Sequence, residues 1–295
     1  MAIFVSALII GGFLGTIYGL MAFGMVAAYR ISRVVNLGQA GIAAMGATVF
    51  YWMSSVWGAP VIVSMAAAVL VGAVIGAGLG YCNVLMAEWP KGFVMIFTLC
   101  VTLVLYHFVN ADMLPTQTVH PVSPFGDGGF DFALTFVAAH QIGTFAVTLG
   151  IVVASTVVLR RTRSGLYVRA IYDDPASAAT IGIPLRTYVI AVWAVGGALA
   201  SVAGILISNR LDLDTTLLLF VTIWALAGSV LGGMESFVLA FAGGLLLGVA
   251  EGIIGGMFSA SLPPGTENLG VVVIMAAAVL YAGFRRRELV DVVQA

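Results

Sequence analysis

The segment LLLGVAEGIIGG, residues 245–256, is apolar except for the carboxylate of Glu251. Counting the glycine just before it, the stretch has glycine at every fourth position: Gly244, Gly248, Gly252 and Gly256. Residues four apart lie on one face of an α-helix. Helices in lipid associate through such small-residue faces, because hydrocarbon gives little hydrophobic drive between them. The stretch therefore predicts a transmembrane helix packed inside a helix bundle.

The composition of the whole chain supports this interpretation. The 295 residues are 61% hydrophobic and 8% charged, and the mean hydropathy is +1.12. Soluble domains are about 25% charged, so the solvent for most of this chain must be lipid. Because backbone groups in lipid must satisfy their hydrogen bonds internally, long apolar runs cross the bilayer as α-helices. The sequence therefore predicts an all-α polytopic membrane protein with a bundle of about 8–9 transmembrane helices.

Nine apolar runs approach or exceed the roughly 20 residues that a transmembrane helix needs. They are residues 3–28, 36–56, 60–86, 92–110, 139–159, 187–208, 216–233, 236–258 and 268–284. The first run lacks a basic leader and a small-residue cleavage site, so we interpret it as a retained span rather than a signal peptide. The second run is glycine-rich and polar at its start, which leaves open a full span or a broken, re-entrant segment.

The distribution of basic residues predicts the orientation of these spans. With the C-terminus inside, 11 of the 12 Lys and Arg residues fall in cytoplasmic segments, and only Arg210 lies outside. Cytoplasmic loops of membrane proteins carry this excess of positive charge. The prediction is a cytoplasmic membrane protein with the N-terminus outside and the C-terminus inside. The Gly- and Pro-rich connection 111–138 is then an irregular external loop, and 160–186 is a cytoplasmic loop.

Small residues recur every fourth position in four of the predicted spans, and we expect these stripes to be helix contacts. The stripes are Gly11, Gly15 and Gly19; Gly72, Gly76 and Gly80; Gly196, Ala200 and Gly204; and Gly244, Gly248, Gly252 and Gly256. They predict a compact bundle and carry no chemistry of their own.

Three polar residues within the spans are candidates for a translocation pathway. Glu251 is costly at membrane depth and must face protein or water; a hydrogen bond that clamps two helices and a place on the pathway are equally compatible with its position. Asn36 and Gln39 lie where the second run begins, beside glycines that loosen the helix. Irregular backbone at that depth is tolerated only inside protein or beside a cavity, which favours a pathway role over simple capping.

Several classes of function find no support in the sequence. The single lysine, Lys91, precludes a Walker A motif, so nucleotide-driven work would need another chain. The three histidines are scattered without a second ligand at suitable spacing, so we expect no metal site. No Ser/His/Asp or Cys/His arrangement indicates an enzyme, and no cofactor is expected. The formal net charge of −1 gives no indication of nucleic-acid binding.

One polar segment stands out from the apolar chain: GLYVRAIYDDPASAATIGI, residues 165–183. Its glycine at 165 suggests a break. Asp174 before Pro175 is a favourable helix start, with Asp as the N-cap and proline in the first turn. Alanine-rich residues continue the helix to Thr180, and Gly182 ends it. A solvated basic loop would explain the arginines but not this capped helix of small side chains, which favours a docking element.

Three motifs in order resemble one known family, the permease subunits of ATP-binding-cassette (ABC) importers for branched-chain amino acids and related solutes. They are VVNLGQAGIAAMGA (34–47), the segment 165–183 and LAGSVLGGMESFVLAFAGGLLLGVAEGI (226–253). The resemblance covers nearly the whole chain and implies a single permease domain, residues 1–295. It differs from the family pattern at Gln39, where the family has histidine, and in the C-terminal FRRREL.

The resemblance implies partners and residue roles. The partners are ABC ATPase subunits, a second permease subunit, similar or identical, and an extracytoplasmic solute-binding protein. It implies that Asn36 and Gln39 belong to a central segment beside the pathway. It also implies that six residues transmit ATPase motion: Arg169, Ala170, Asp173, Asp174, Gly182 and Ile183. The expected solute is a branched-chain or other small amino acid; a permease for a sugar, urea or an amide and a non-transporting scaffold remain alternatives.

Overall fold

The computed structural model describes residues 2–113, 121–126, 128–132, 135–209 and 215–258, with 272–273 and 276–277. The helices of these residues are α1 (Ala2–Ser32), α2 (Gln39–Tyr51), α3 (Val61–Leu85), α4 (Lys91–Phe108), α5 (Ala139–Arg161), α6 (Arg163–Asp173), α7 (Pro175–Thr180), α8 (Leu185–Ser208), α9 (Thr215–Leu231) and α10 (Phe237–Phe258). Two π-helical turns, Trp52–Val56 and Val109–Met113, extend α2 and α4. Two short strands, β1 (Gly129–Phe132) and β2 (Thr135–Ala138), form an antiparallel hairpin.

The predicted all-α polytopic membrane fold is confirmed. Among the described residues, six helices, α1, α3, α4, α5, α8 and α10, are long and apolar enough to cross a membrane. They coincide with six of the predicted runs. A seventh run corresponds to α9, whose apolar part, Leu218–Leu231, is shorter. The run 268–284 lies largely outside the described residues, so the total of eight to nine spans stays a prediction.

The second predicted run, 36–56, does not form one regular helix. Helix α2 begins only at Gln39, after the non-helical segment 34–38, and passes into the π turn at Trp52. Nearly every residue of α2 is buried inside the bundle. The structure therefore has the broken form of the two that the sequence allowed.

The glycine stripes are helix contacts, as their spacing predicts. Helices α1 and α10 approach so closely that a Cβ atom on Gly11 would lie 2.6 Å from the carbonyl oxygen of Gly248. Helices α3 and α8 meet in the same way, because a Cβ on Gly80 would lie 3.0 Å from the Cα of Ile190. Fully buried side chains of α1, α2 and α8, such as Phe23, complete the core around these contacts.

The predicted external loop, 111–138, is more ordered than an irregular loop. Residues 129–138 contain the β-hairpin, in which Phe130 lies opposite Val137; such aromatic–β-branched pairs across two strands stabilise a sheet. A buried side chain, His140, ties this region to the bundle. Its Nε2 lies 2.8 Å from the carbonyl oxygen of Leu206, and its Nδ1 lies 3.2 Å from the hydroxyl of Ser123. The expectation of an irregular loop was therefore wrong for this part of the connection.

Candidate functional site

The short helix expected within 165–183 is present as α7, Pro175–Thr180. Asp174 caps it: one carboxylate oxygen accepts the N–H of Ala176 at 3.0 Å, and the other accepts the hydroxyl of Ser177. The hydrogen bond from Ser177 lowers the pKa of the Asp174 carboxyl below its usual value. The chain turns away at Gly182, whose φ of +84° favours glycine.

The start of this segment is not a break, which corrects the sequence interpretation. Gly165 lies inside α6, where the hydroxyl of Thr162 caps the helix by accepting the Gly165 N–H at 3.1 Å. Glycine is needed there because a Cβ atom would lie 2.6 Å from the Cα of Leu159, at the end of α5. Arg169 and Ala170 are therefore carried by α6.

The six residues of the predicted coupling set divide into two groups by exposure. Arg169, Asp173, Asp174 and Gly182 are exposed on α6, α7 and the turn that follows. Ala170 is half-buried and Ile183 is buried, so they anchor the segment to the bundle. The segment thus presents charged and small groups outward over an apolar attachment.

A tyrosine that the sequence analysis missed links α6 to α1. Two guanidinium groups contact the ring of Tyr172, with Arg30 4.3 Å and Arg33 4.5 Å from its centroid. Guanidinium groups over an aromatic face are attracted by the ring quadrupole. Arg33 has a φ of +55°, a strained value for a side-chain residue, at the point where α1 gives way to the segment leading to Gln39.

Asn36 organises the non-helical turn before α2. Its Oδ1 accepts the N–H of Gly38 at 2.9 Å, while α4 satisfies the neighbouring backbone: Leu37 donates to the Thr98 hydroxyl at 3.2 Å and accepts from the Thr102 hydroxyl at 2.8 Å. Asn36 is fully buried, and within the described part of the chain its Nδ2 has no hydrogen-bond partner. A buried donor of this kind is costly unless a ligand or another conformation uses it.

Gln39 inserts its amide into one turn of α1. In the orientation that satisfies both ends, Nε2 donates to the carbonyl of Met21 and Oε1 accepts the N–H of Met25, each at 3.1 Å. A Cβ on Gly24 would lie 2.9 Å from the amide atom that is Oε1 in this orientation, so glycine at that position makes room for the amide. Gln39 is fully buried. It therefore joins the start of α2 to the middle of α1.

Glu251 accepts a hydrogen bond from the hydroxyl of Tyr18, with 2.7 Å between Oε2 and Oη. Tyr18 is buried on α1, and Glu251 is half-buried on α10. Their bond clamps the two helices beside the glycine contacts. The tyrosine was not identified from the sequence, since its distance of 233 residues along the chain hides the pairing.

What the three predicted regions share is α1. Glu251 bonds to it at Tyr18, Gln39 at Met21 and Met25, and α6 through Tyr172, in order along the helix. A helix with these attachments can carry a displacement from one end to the other. The part of the chain that the structure describes holds no cluster of three His, Cys, Asp or Glu side chains suited to a metal ion.

The sequence profile of the family described as "Branched-chain amino acid transport system / permease component" matches residues 8–282. The chain belongs to this family. Two similar relatives are branched-chain amino acid transport permeases named LivH. The one from Methanocaldococcus jannaschii, described as probable, is 26% identical over 273 residues, covering 90% of this chain and 86% of the relative. The one from Escherichia coli K12 is 26% identical and covers 85% of each chain.

Two further similarities are more distant. The galactose/methyl galactoside import permease MglC of Escherichia coli K12 is 27% identical over 196 residues, which is 64% of this chain and 56% of the relative. Among solved structures, PsaBC from Streptococcus pneumoniae in complex with a Fab matches with a TM-score of 0.50 at 12% identity, covering 92% of this chain and 89% of that one. The structural match supports the fold alone.

These findings establish the class of this family member. It is a multi-pass permease subunit of an ABC importer in the cytoplasmic membrane, and its family is one of transport permeases rather than enzymes. Permease subunits of this class work with ATPase and solute-binding partners.

Proposed function

We propose that this permease subunit moves branched-chain or other small amino acids into the cell, as a single permease domain of residues 1–295. The observation that carries the proposal is the family match over 8–282, together with LivH relatives that align over 85–90% of this chain. The galactoside permease aligns over 64%, which makes a sugar permease the second candidate. The proposed orientation has the N-terminus outside and the C-terminus in the cytoplasm, supported by the basic-residue count.

We further propose that ATPase subunits dock on the cytoplasmic loop 160–186. The exposed Arg169, Asp173 and Asp174 would meet the ATPase, while small exposed alanines of α7 leave a low surface for its groove. Gly182 lets the chain return to the membrane directly after α7. Ala170 and Ile183 would hold the segment against the bundle, so that it moves with the spans above it.

The proposed route from the ATPase to the pathway runs along α1. A pull on α6 would reach Arg30 and Arg33 through the ring of Tyr172. Arg33 directly precedes the turn that positions Asn36 and Gln39. Displacement of α1 would alter the Gln39 contacts and the clamp to Glu251, which opens and closes the bundle around these residues.

Asn36, Gln39 and Glu251 are the proposed pathway residues. The buried Nδ2 of Asn36, which has no partner in the described residues, is a donor available to a solute carboxylate once the bundle opens. Gln39 and Glu251 would act as gates whose bonds to α1 change during transport. On the opposite face, the exposed Phe130 and Phe136 of the hairpin are suited to contact with the solute-binding protein. A second permease, identical or similar, would complete the pathway.

Copurification tests the docking proposal. Tagged protein is isolated from its host in mild detergent as wild type, Arg169→Glu and Lys91→Glu, and associated chains are identified by mass spectrometry. Lys91 begins α4 on the same predicted side and controls for the charge reversal. We expect an ATPase chain with wild type and Lys91→Glu and its loss with Arg169→Glu. Absence of any nucleotide-binding chain from wild type would refute the docking assignment.

Uptake measurements separate the candidate solutes and roles. Reconstituted with its partners, the protein should take up leucine in preference to galactose or ribose; the reverse would favour the sugar permease. In the same preparation Asn36→Ala, Gln39→Ala and Glu251→Ala should each lower uptake. If uptake is unchanged in all three variants while the partners still bind, these residues do not line the pathway and the pathway assignment is refuted. That result would favour a scaffold role for the protein.

A further inference from the structure

A basic pocket lies at the boundary of the membrane, where the last turns of α1 and α5 adjoin α6. It has a volume of 190 Å³, and Arg30, Arg160 and Arg169 line it, one from each of these helices. One carboxylate, Glu235 between α9 and α10, lines it as well. Three guanidinium groups against one carboxylate leave an excess of positive charge, which favours a bound anion.

An apolar cavity of 430 Å³ adjoins the basic pocket. The two share three wall residues, Leu159, Val168 and Phe237. Residues of α1, α5, α6 and α8 form most of the cavity, and none of those that line it carries a charge. Val158 and Val195 at its edge are 50% and 51% exposed, so the cavity opens on the surface of two membrane-spanning helices, where acyl chains of the bilayer lie.

We propose that the basic pocket and the apolar cavity together bind one anionic phospholipid. The headgroup phosphate would lie among the arginines, whose planar guanidinium groups can each donate two hydrogen bonds to phosphate. An acyl chain would enter the adjoining cavity, whose volume lies within the range of about 300–1,000 Å³ typical of small-molecule sites. Basic pockets between transmembrane helices at this depth are suited to acidic lipid headgroups.

The continuity of the two cavities selects a lipid over a soluble anion. A free phosphate would need the basic pocket alone and leave the apolar cavity without a role. A lipid uses both, because its headgroup and its chain can meet where the two cavities share the wall residues Leu159, Val168 and Phe237. The bound lipid would bridge α1, α5 and α6, and so stabilise the position of the segment that carries Arg169. The proposal does not depend on the solute, but it rests on the proposed orientation, which places these arginines on the cytoplasmic side.

Native mass spectrometry of the permease purified with its ATPase subunits tests the site. The complex is titrated with phosphatidylglycerol, with phosphatidylcholine of the same chains, and with inorganic phosphate. We expect one phosphatidylglycerol to bind saturably, phosphatidylcholine to bind more weakly, and millimolar phosphate not to displace the bound lipid. Arg160→Gln should lower the affinity for phosphatidylglycerol about fivefold, as expected for the loss of one arginine near an anionic surface. Arg161→Gln, the adjacent arginine that does not line the pocket, is the matched control.

A second variant tests the chain-binding half. Ala191 is exposed and lines the apolar cavity. Ala191→Phe should therefore fill the cavity and weaken the binding of both lipids without unfolding the bundle. Four results would overturn the proposal: equal binding of the two lipids, equal effects of Arg160→Gln and Arg161→Gln, displacement of the lipid by phosphate, or lipid binding by the isolated permease that disappears in the complex. The last would identify the groove as a protein interface.

Discussion

Replacement of Tyr172 should uncouple ATP hydrolysis from transport. The ring contacts both Arg30 and Arg33, with centroid distances of 4.3 Å and 4.5 Å, and Arg30 also lies 4.9 Å from the ring centroid of Phe237. The Tyr172 ring is thus a specific attachment of α6 to the end of α1. In Tyr172→Ala both ring contacts are lost, whereas the 3.5 Å hydrogen bond from Arg33 Nη2 to the backbone carbonyl of residue 172 and the exposed surface proposed for the ATPase are left in place.

The magnitude follows from the burial of the three groups. Each cation–π contact contributes about 0.5–1 kcal/mol at an exposed site and more when desolvated. Arg33 is exposed, whereas Arg30 and Tyr172 are half-buried, so the two contacts together stabilise the attachment by about 1–2 kcal/mol. Since 1.4 kcal/mol is a factor of ten, the substitution should shift the attached population about 5- to 30-fold. Tyr172→Phe keeps the ring and should change it little.

The assay measures two rates in one preparation. Proteoliposomes that contain the complete importer are supplied with binding protein, solute and ATP, and solute uptake is compared with ATP hydrolysis. We expect Tyr172→Ala to keep hydrolysis and ATPase retention but to lower the number of solutes moved per ATP. Tyr172→Phe should resemble wild type. The side chain of Tyr81 on α3 is 54% exposed. Tyr81→Ala therefore controls for a general loss of aromatic surface.

Two outcomes would refute this reasoning. If Tyr172→Ala transports with the wild-type ratio, the contact between α6 and α1 does not carry the motion. If Tyr172→Phe loses coupling as fully as Tyr172→Ala, the hydroxyl rather than the ring is responsible, and the cation–π argument is wrong.

Three further predictions concern packing, the clamp and the helix cap. A methyl group on Gly248 would lie 2.7 Å from a backbone oxygen of α1, so Gly248→Ala should lower the free energy of unfolding by about 1–3 kcal/mol. Gly150→Ala, with nothing within 4 Å of its added Cβ, should be neutral or stabilising. Equal melting temperatures of the two variants would contradict close packing. Tyr18→Phe removes the hydrogen bond to Glu251 and should lower the free energy of unfolding by about 1–3 kcal/mol, measured as unfolding at a lower SDS concentration. An unchanged unfolding midpoint would show that the bond does not stabilise the bundle. Asp174→Ala should reduce ATPase retention in copurification, whereas Asp174→Asn keeps an N-cap acceptor and should retain it. Because the hydrogen bond from Ser177 lowers the pKa of the Asp174 carboxyl, the part of its capping that depends on the negative charge should be complete at neutral pH and be lost only as the pH falls below about 4. Loss of that part already at pH 6 would contradict the sign of the pKa shift.

The local features of the coupling segment were predictable because they depend on neighbours in sequence. Asp174 followed by proline specifies a helix start, and Gly182 supplies a left-handed residue at its end. The same reasoning failed at Gly165, where a glycine suggested a break. Its actual role is to admit the backbone of Leu159, a contact that no local pattern reveals.

Pairings across the bundle could not be predicted from the sequence. The approach of Tyr18 to Glu251 depends on the packing of the first helix against the last described one. The irregular backbone around Gln39 and the family resemblance predict a pathway residue, whereas in the structure its amide bonds to backbone atoms of α1 that carry no sequence signal. A pathway role for it stays a prediction that the uptake experiment tests.

Hydropathy, four-residue glycine spacing and helix capping act within a few turns of chain, so the sequence was sufficient to predict a bundle of membrane helices with close glycine contacts and a short capped helix after Asp174. The tertiary structure was needed to show that α2 begins only after a non-helical segment, that Tyr172 joins α6 to α1, and that a basic pocket adjoins an apolar cavity. The physical reason is that these features arise where residues distant in sequence meet. In lipid, shape complementarity and hydrogen bonds select those meetings more than hydrophobicity does.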